Sequence, residues 1–272
     1  MARVGLIGNP LKRPHSAIMH NAAFQHFGID AHYDLIELPP EDLDVFFDET
    51  RIGDWLGFNV TAPHKQEAIR RCDRTTDSAD RIGAVNTVTV ADGELLGSNT
   101  DAPGFARSVA EDLGRDMTGL AVAVAGAGGA ARAVVAATLD AGAESVAVGA
   151  RQLSSATTLA AQFADSRIQP VALGPDFDAA LSGCDLAVNA TTVGMIDPGL
   201  AFDPALLPTS AAVFDLVYVP AQGELVTRAR ARGLDAVNGI GMLVGQAEIA
   251  FESWTGVSGA GPVMRAALDP MG

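Results

Sequence analysis

Cysteine is scarce in this 272-residue chain: Cys72 and Cys184 lie far apart and in no metal or redox spacing. That excludes a disulfide framework and predicts two reduced thiols. Histidine is confined to the first 64 residues (His15, His20, His26, His32, His64), with no Cys or Glu cluster at ligand spacing, so no metal site is expected, and His64 is expected to be exposed beside Lys65. Long apolar runs are missing too. The richest stretch, 119–139, is broken by Arg132 and crowded with glycine, far from the ~18 uninterrupted apolar residues of a membrane span. The apolar start, Met1–Gly8, is too short for a signal peptide. Positive charge is short: 18 Lys and Arg face 33 Asp and Glu, a net charge of −15. Such a surface repels nucleic acid and anionic lipid, and neither is expected as a partner. These absences describe a soluble cytoplasmic protein, monomer or homodimer, in which an anionic ligand must be met by a few locally gathered cations.

What is present is 48% apolar sequence in short runs, enough for a sizeable core. Residues 2–7 read as a strand. A helix over 17–27 follows Ser16 and closes at Gly28. A strand at 31–38, a helix at 39–51 and a strand at 55–60 come next, and Pro63 is placed to open another helix. Runs at 85–90 and 94–97 flank Ala91-Asp92-Gly93, a hairpin signal. After Pro103 the texture becomes Ala/Gly/Val-rich, with strands at 120–125, 145–148, 169–173, 185–189 and 213–217 separated mostly by helices. That alternation predicts an α/β fold with a Rossmann-type doubly wound parallel sheet. Two further helices, 242–254 and 262–268, have no sheet of their own. The expected organisation is therefore a substrate-binding α/β domain at 1–102, a dinucleotide-binding domain at 103–237, and C-terminal helices at 238–272 that return to the first domain and leave a cleft.

Gly126-Ala127-Gly128-Gly129-Ala130, between the strand ending at Ala125 and a helix, has the form of a phosphate-binding turn. Glycines allow the tight turn and close backbone approach, and the helix N-terminus offers free N–H groups. A glycine/alanine packing motif without a ligand is the alternative. An NAD site would want a carboxylate at the end of the next strand, whereas this one ends in Ala150-Arg151-Gln152, which suits the 2′-phosphate of NADP. NAD stays open. Lys65 falls in the first turn after Pro63, where the helix dipole favours the neutral amine and hence a general base for an alcohol; a solvated lysine is the alternative. Asp101 stands where the chain crosses between domains, at the mouth of the expected cleft, or else caps the following helix. Together these features describe an enzyme moving a hydride to or from a small polar substrate.

Eight blocks then occur in order. They are Asn59-Val-Thr61-x-Pro63-x-Lys65, Gly83-Ala-Val-Asn86-Thr87, Asn99-Thr100-Asp101, Gly126-Ala-Gly-Gly-Ala130, Asn189-Ala-Thr-x-x-Gly194-Met195, Asp215-x-x-Tyr218-x-Pro220, Gly239-x-Gly-Met-Leu-Val-x-Gln246 and Trp254-Thr-Gly256. The set resembles the shikimate dehydrogenases over nearly the whole chain. The resemblance implies NADP-dependent, reversible oxidation of shikimate to 3-dehydroshikimate, a step toward aromatic amino acids. It implies that Lys65 and Asp101 handle the proton of the C3 hydroxyl; which is the formal base stays open, since a close Lys–Asp pair titrates jointly. Ser16, Thr61, Asn86, Tyr218 and Gln246 are implied to hold the cyclic hydroxy acid. The glycine loop (Gly126, Ala127, Gly128, Gly129, Ala130), Arg151, Gly239 and, more weakly, Asp77 are implied to meet the cofactor.

The chain also departs from the family pattern. Of two serines expected near the N-terminus, Ser16 is kept and Pro14 replaces the other, which removes a hydrogen bond worth about 1.5–3 kcal/mol to a carboxylate. Arg13 or His15 substitutes for it, or the preferred acid differs. The usual Asn-Arg-Thr is Ala150-Arg151-Gln152, which relaxes discrimination against NAD. Two rivals follow: a paralogue acting on quinate or a related acid, and a non-catalytic NADPH-binding protein, against which the retained Lys65 and Asp101 speak.

Overall fold

Short apolar runs ending at turn residues build two six-stranded sheets in the computed structural model, which describes residues 1–11, 13–195 and 198–268. The chain divides into two compact units, Met1–Thr100 with Val244–Gly272, and Asp101–Leu243.

The first unit contains β1 (Ala2–Gly8), α1 (His15–Phe27), β2 (Ala31–Glu37), α2 (Leu43–Thr50), β3 (Trp55–Val60), α3 (Lys65–Ala68), β4 (Arg74–Thr75), α4 (Asp77–Ile82), β5 (Thr87–Ala91) and β6 (Glu94–Ser98). Its strand order is β2-β1-β3-β5-β6-β4. β1 runs parallel to β2 and β3, while β5 is antiparallel to both β3 and β6. The expected hairpin forms: Asp92 (φ 52°) and Gly93 (φ 79°) supply the two left-handed residues of a type I′ turn between β5 and β6. α1 ends at Gly28 with φ 66°, a left-handed cap that glycine adopts without steric cost. The helix expected from Pro63 starts two residues later. His64 N–H closes on Thr61 O at 2.9 Å, which makes 61–64 a turn, and α3 is a single turn beginning at Lys65. A helix that short has a small dipole, so the dipole argument for Lys65 loses most of its force. Under the sheet, Phe46, Phe47 and Trp55 present edges to Phe58, the two phenylalanines at centroid distances of 5.1 Å.

The second unit contains α5 (Asp101–Asp112), β7 (Ala121–Ala125), α6 (Gly129–Asp140), β8 (Ser145–Ala150), α7 (Leu153–Phe163), β9 (Ile168–Ala172), α8 (Pro175–Leu181), β10 (Leu186–Asn189), β11 (Ala212–Asp215), α9 (Glu224–Ala231) and β12 (Asp235–Asn238). All its pairings are parallel, in the order β12-β11-β10-β7-β8-β9. That is the doubly wound Rossmann order, with its switch point between β7 and β10. The strands are small and apolar (AVAVA in β7), buried on both faces as a parallel sheet requires.

α10 (Ile240–Thr255) and α11 (Gly261–Leu268) end the described chain. Within the first unit Trp254 Nε1 donates to Val88 O at 3.0 Å. Gly57 makes room for that indole, since a Cβ there would lie 2.3 Å from Trp254 Nε1. Phe251 packs on Phe24 at 5.2 Å between centroids.

Candidate active site

Strand directions gather the predicted residues of the first unit. Because β5 is antiparallel to β3 and β6, the amino end of β5 shares one sheet edge with the carboxyl ends of β1, β3 and β6. Thr61 and Lys65 follow β3, Asn86 immediately precedes β5, Thr100 follows β6, and Ser16 lies in the first turn of α1 after β1. A buried hydrogen-bond lattice holds this edge. Asn59 Nδ2 donates to Thr87 Oγ1 at 3.0 Å and to Asn86 O at 3.2 Å. Asn86 Nδ2 donates to Thr100 Oγ1 at 3.0 Å, and Asn86 Oδ1 accepts from Thr100 N–H at 2.7 Å. Asn99 Nδ2 donates to Ala84 O at 2.9 Å, and Lys65 O accepts from Val85 N–H at 2.8 Å. The loops carrying Lys65, Asn86 and Thr100 are thereby fixed to one another. Lys65 is half-buried, as are Thr61 and Ser16.

Tyr33 extends the lattice. Its hydroxyl donates to Asn59 Oδ1 at 2.7 Å and forms a hydrogen bond with Ser16. Burial holds the phenol well above its ordinary range, so it stays a donor. His20 stacks on Tyr33 with centroids 4.4 Å apart, six residues into α1 and fully buried, and burial pushes its pKa down to about 3. His64, expected at the surface beside Lys65, is instead buried, with Nε2 2.7 Å from Leu38 O. The carbonyl can only accept, so Nε2 carries the proton, and the partner removes most of the cost of burying the ring. In the segment with Pro14, burial first and then the charge of Arg13 lower the pKa of His15, which keeps that imidazole neutral near pH 7. Gln246 is half-buried on α10, and Asp77 is an exposed first residue of α4, after the Thr76 cap.

Asp101 is the first residue of α5 rather than the cap of a helix after Pro103. It is buried and directly follows Thr100, which the lattice fixes. In the second unit every predicted residue beyond Asp101 sits at a carboxyl end of the parallel sheet, where ligands of such folds bind. Gly126–Ala130 follow β7, Arg151 follows β8, Tyr218 follows β11 and Gly239 follows β12. Gly126 has φ 120°, and a Cβ there would lie 2.8 Å from Ala190 O, so only glycine fits. Gly128 precedes α6 with open space around its Cα and is exposed. The first N–H groups of α6, which have no intrahelical acceptors, follow directly on this open position. Arg151 is exposed, and no carboxylate ends β8. This set fits a dinucleotide: backbone donors for the diphosphate and a cation for a 2′-phosphate. At Gly239 a Cβ would lie 2.3 Å from Leu216 O, so glycine is again required.

An Asn–Asp pair orders the loops beside these residues. Asn189 Nδ2 donates to Asp215 Oδ1 at 2.8 Å and to Val193 O at 3.1 Å, while its Oδ1 accepts from Thr191 N–H at 3.0 Å. Asp215 Oδ1 also accepts from Val217 N–H at 3.1 Å, which fixes the residue next to Tyr218. Burial pushes the Asp215 carboxyl up to about 6, against the opposing pull of its hydrogen bonds. Sequence reasoning missed the roles of Tyr33 and Asp215. Asp215 stood inside a recognisable block, whereas Tyr33 gave no signal beyond a strand position. Among the described residues no three His, Cys, Asp or Glu side chains gather as a metal site, and no helix is long and apolar enough to cross a membrane.

Family models match segments near both ends of the chain. Residues 6–88 match the shikimate dehydrogenase substrate binding domain, and 239–268 match the shikimate 5′-dehydrogenase C-terminal domain. A shikimate dehydrogenase (NADP(+)) of Mesorhizobium japonicum is 41% identical over 252 residues, 92% of this chain and 89% of the relative. Among solved structures, shikimate 5-dehydrogenase from Thermus thermophilus in complex with NADP(H) and shikimate is similar at TM-score 0.89 and 36% identity, covering 98% of both chains. Quinate dehydrogenase from Corynebacterium glutamicum in complex with NAD is similar at TM-score 0.92 and 31% identity, again over 98% of both chains.

Proposed function

The chain belongs to the shikimate dehydrogenase family, and from that premise we propose that it oxidises shikimate reversibly to 3-dehydroshikimate with NADP. The observation that carries the reading is the lattice edge of the first unit, where Lys65, Asn86 and Thr100 are locked together by buried hydrogen bonds. A dinucleotide bound at the Gly126–Ala130 loop supplies the acceptor for the hydride that leaves C3. The chain's own residues handle the rest. Lys65 accepts the C3 hydroxyl proton as the C–O bond becomes a carbonyl, and Asp101, next to Thr100, orients or shares that proton. Ser16, Thr61, Asn86, Tyr218 and Gln246 hold the ring hydroxyls and carboxylate. Gly239 would let the backbone approach the cofactor closely, Arg151 would pair with the 2′-phosphate, and Asp77 would meet the nicotinamide end, the weakest of these assignments.

Arg13 takes over the carboxylate contact that a serine at position 14 would make. His15 is the weaker candidate, because its neutral ring offers no charge to the acid. A second reading, quinate as the preferred acid with NAD or NADP, is favoured by Pro14 and Gln152 and by the likeness to the quinate dehydrogenase. Initial rates with shikimate and quinate, each with NADP and NAD, separate the two. The first reading predicts the highest kcat/KM for shikimate with NADP; turnover of quinate alone replaces it with the second, and binding without turnover of either acid leaves only a nucleotide-binding protein. The reading includes a cytoplasmic setting, in keeping with two free thiols, and a monomer or homodimer.

A further inference from the structure

Arg132 is the one charged side chain in the buried stretch of α6, Ala131–Leu139, and is only 9% exposed. Its Nε is sealed from solvent with no hydrogen-bond partner. Among the described residues no side chain or carbonyl hydrogen-bonds to the guanidinium or forms an ion pair with it. Burial lowers its pKa, yet an arginine keeps its proton in a protein. A guanidinium held at this low exposure with a sealed Nε and no protein partner is a costly arrangement, and small apolar residues surround it along the helix. A fold without a ligand to meet this charge would be more stable with a methionine there.

Its position says which ligand. Arg132 N–H donates to Gly128 O at 3.0 Å, the first bond of α6, so the residue stands one turn beyond the glycine loop. Helical side chains lean toward the helix N-terminus and cover the preceding turn. That turn is Gly128–Gly129, where the unbonded N–H groups of α6 already form a site suited to anions.

We propose that Arg132 is a phosphate-binding residue, its guanidinium pairing with the diphosphate of the dinucleotide that the Gly126–Ala130 loop receives. The inference rests on the dinucleotide reading given above and adds to it a division of labour. Arg132 serves the diphosphate common to NADPH and NADH, and Arg151 serves the 2′-phosphate that only NADPH has. Because the charge is uncompensated without a ligand, Arg132 lowers the stability of the free protein for the sake of binding.

Equilibrium titration of nucleotide fluorescence with NADPH and with NADH, on wild type, Arg132→Met and Arg151→Gln, tests this without any turnover. In Arg132→Met the two dissociation constants should rise together by about tenfold to 150-fold, the loss of one charged hydrogen-bonded contact. The Tm of the nucleotide-free variant should exceed that of wild type. Arg151→Gln should weaken NADPH alone. Constants in Arg132→Met within about threefold of wild type for both nucleotides overturn the proposal. If the methionine variant does not fold, Arg132→Lys keeps the charge and loses the bidentate fork. Its two constants should rise by a common factor, and unchanged constants, or a rise for NADPH alone, overturn the proposal. A wild type that binds neither nucleotide removes the dinucleotide reading itself, an outcome separate from a wild type that binds both and an Arg132 variant that does the same.

Discussion

The two units prepare for their ligands with different materials. In the first unit the candidate edge is a lattice of side chains, in which Tyr33, Asn59, Asn86, Thr87 and Thr100 bond one another out of contact with solvent. In the second, the loop after β7 offers backbone, and glycine is required at Gly126 by φ and by the approach of Ala190 O. A ring carrying several hydroxyls asks for donors and acceptors at particular angles, which side chains held by their neighbours can supply. A diphosphate asks for clustered N–H groups, which a helix end supplies if nothing covers it. The first unit should therefore be sensitive to loss of polar atoms and the second to gain of a methyl group.

Four substitutions can break or sharpen that contrast. Lys65→Ala should produce the largest change, a fall in kcat of at least about a hundredfold with NADPH affinity kept, measured by initial rates and fluorescence titration. A drop of severalfold or less takes Lys65 out of the proton transfer. Asp215→Asn comes next and tests the polar pair of the second unit. The folded protein holds a proton on Asp215 up to about pH 6, whereas the ordinary carboxyl releases it near 3.8. Protonation therefore favours the fold below pH 4, and that advantage is lost as pH rises through 6. Relative to Asp215→Asn, wild type should lose about 2 kcal/mol between pH 4 and pH 7 in urea unfolding. A difference that stays flat across that range contradicts the burial assigned to this carboxyl.

Gly126→Ala should cost about 1–3 kcal/mol through the strained φ and the contact with Ala190 O, and raise the dissociation constant for NADPH. Shikimate binding should be little changed. Asn86→Ala should do the converse, leaving Thr100 N–H unpaired at a cost of about 1–3 kcal/mol and raising the KM for shikimate. If each substitution weakened both ligands equally, the division between a side-chain site and a backbone site would not stand.

Much of this was legible in the sequence, and what was not has physical reasons. The doubly wound sheet follows from short apolar runs alternating with helices. The hairpin follows from Ala91-Asp92-Gly93, because its turn chemistry is local. The glycine turn between β7 and α6 likewise sits in one contiguous block. β4 and β12 escaped notice: one is two residues long, and the other, Asp235–Asn238, carries Asp and Asn where strands prefer branched or aromatic residues. α3 began late because the Thr61–His64 turn took the residues that Pro63 was expected to start. His64 looked like a solvated neighbour of Lys65, since nothing local signals that Leu38 O, 26 residues away, would accept a hydrogen bond from it. The lattice is invisible for the same reason: its bonds join residues 13 to 28 positions apart, and only the sheet register brings them into contact. Arg132 was visible only as an interruption in an apolar run, and its lack of a partner is a property of the fold.

Shikimate carrying deuterium at C3, incubated with the protein and NADP, tests the central claim most directly. The account predicts reduced cofactor bearing the deuterium and unlabelled 3-dehydroshikimate, with the rate slowed wherever hydride transfer limits turnover. Reduced cofactor without the label, or label retained at C3 in the product, would contradict it.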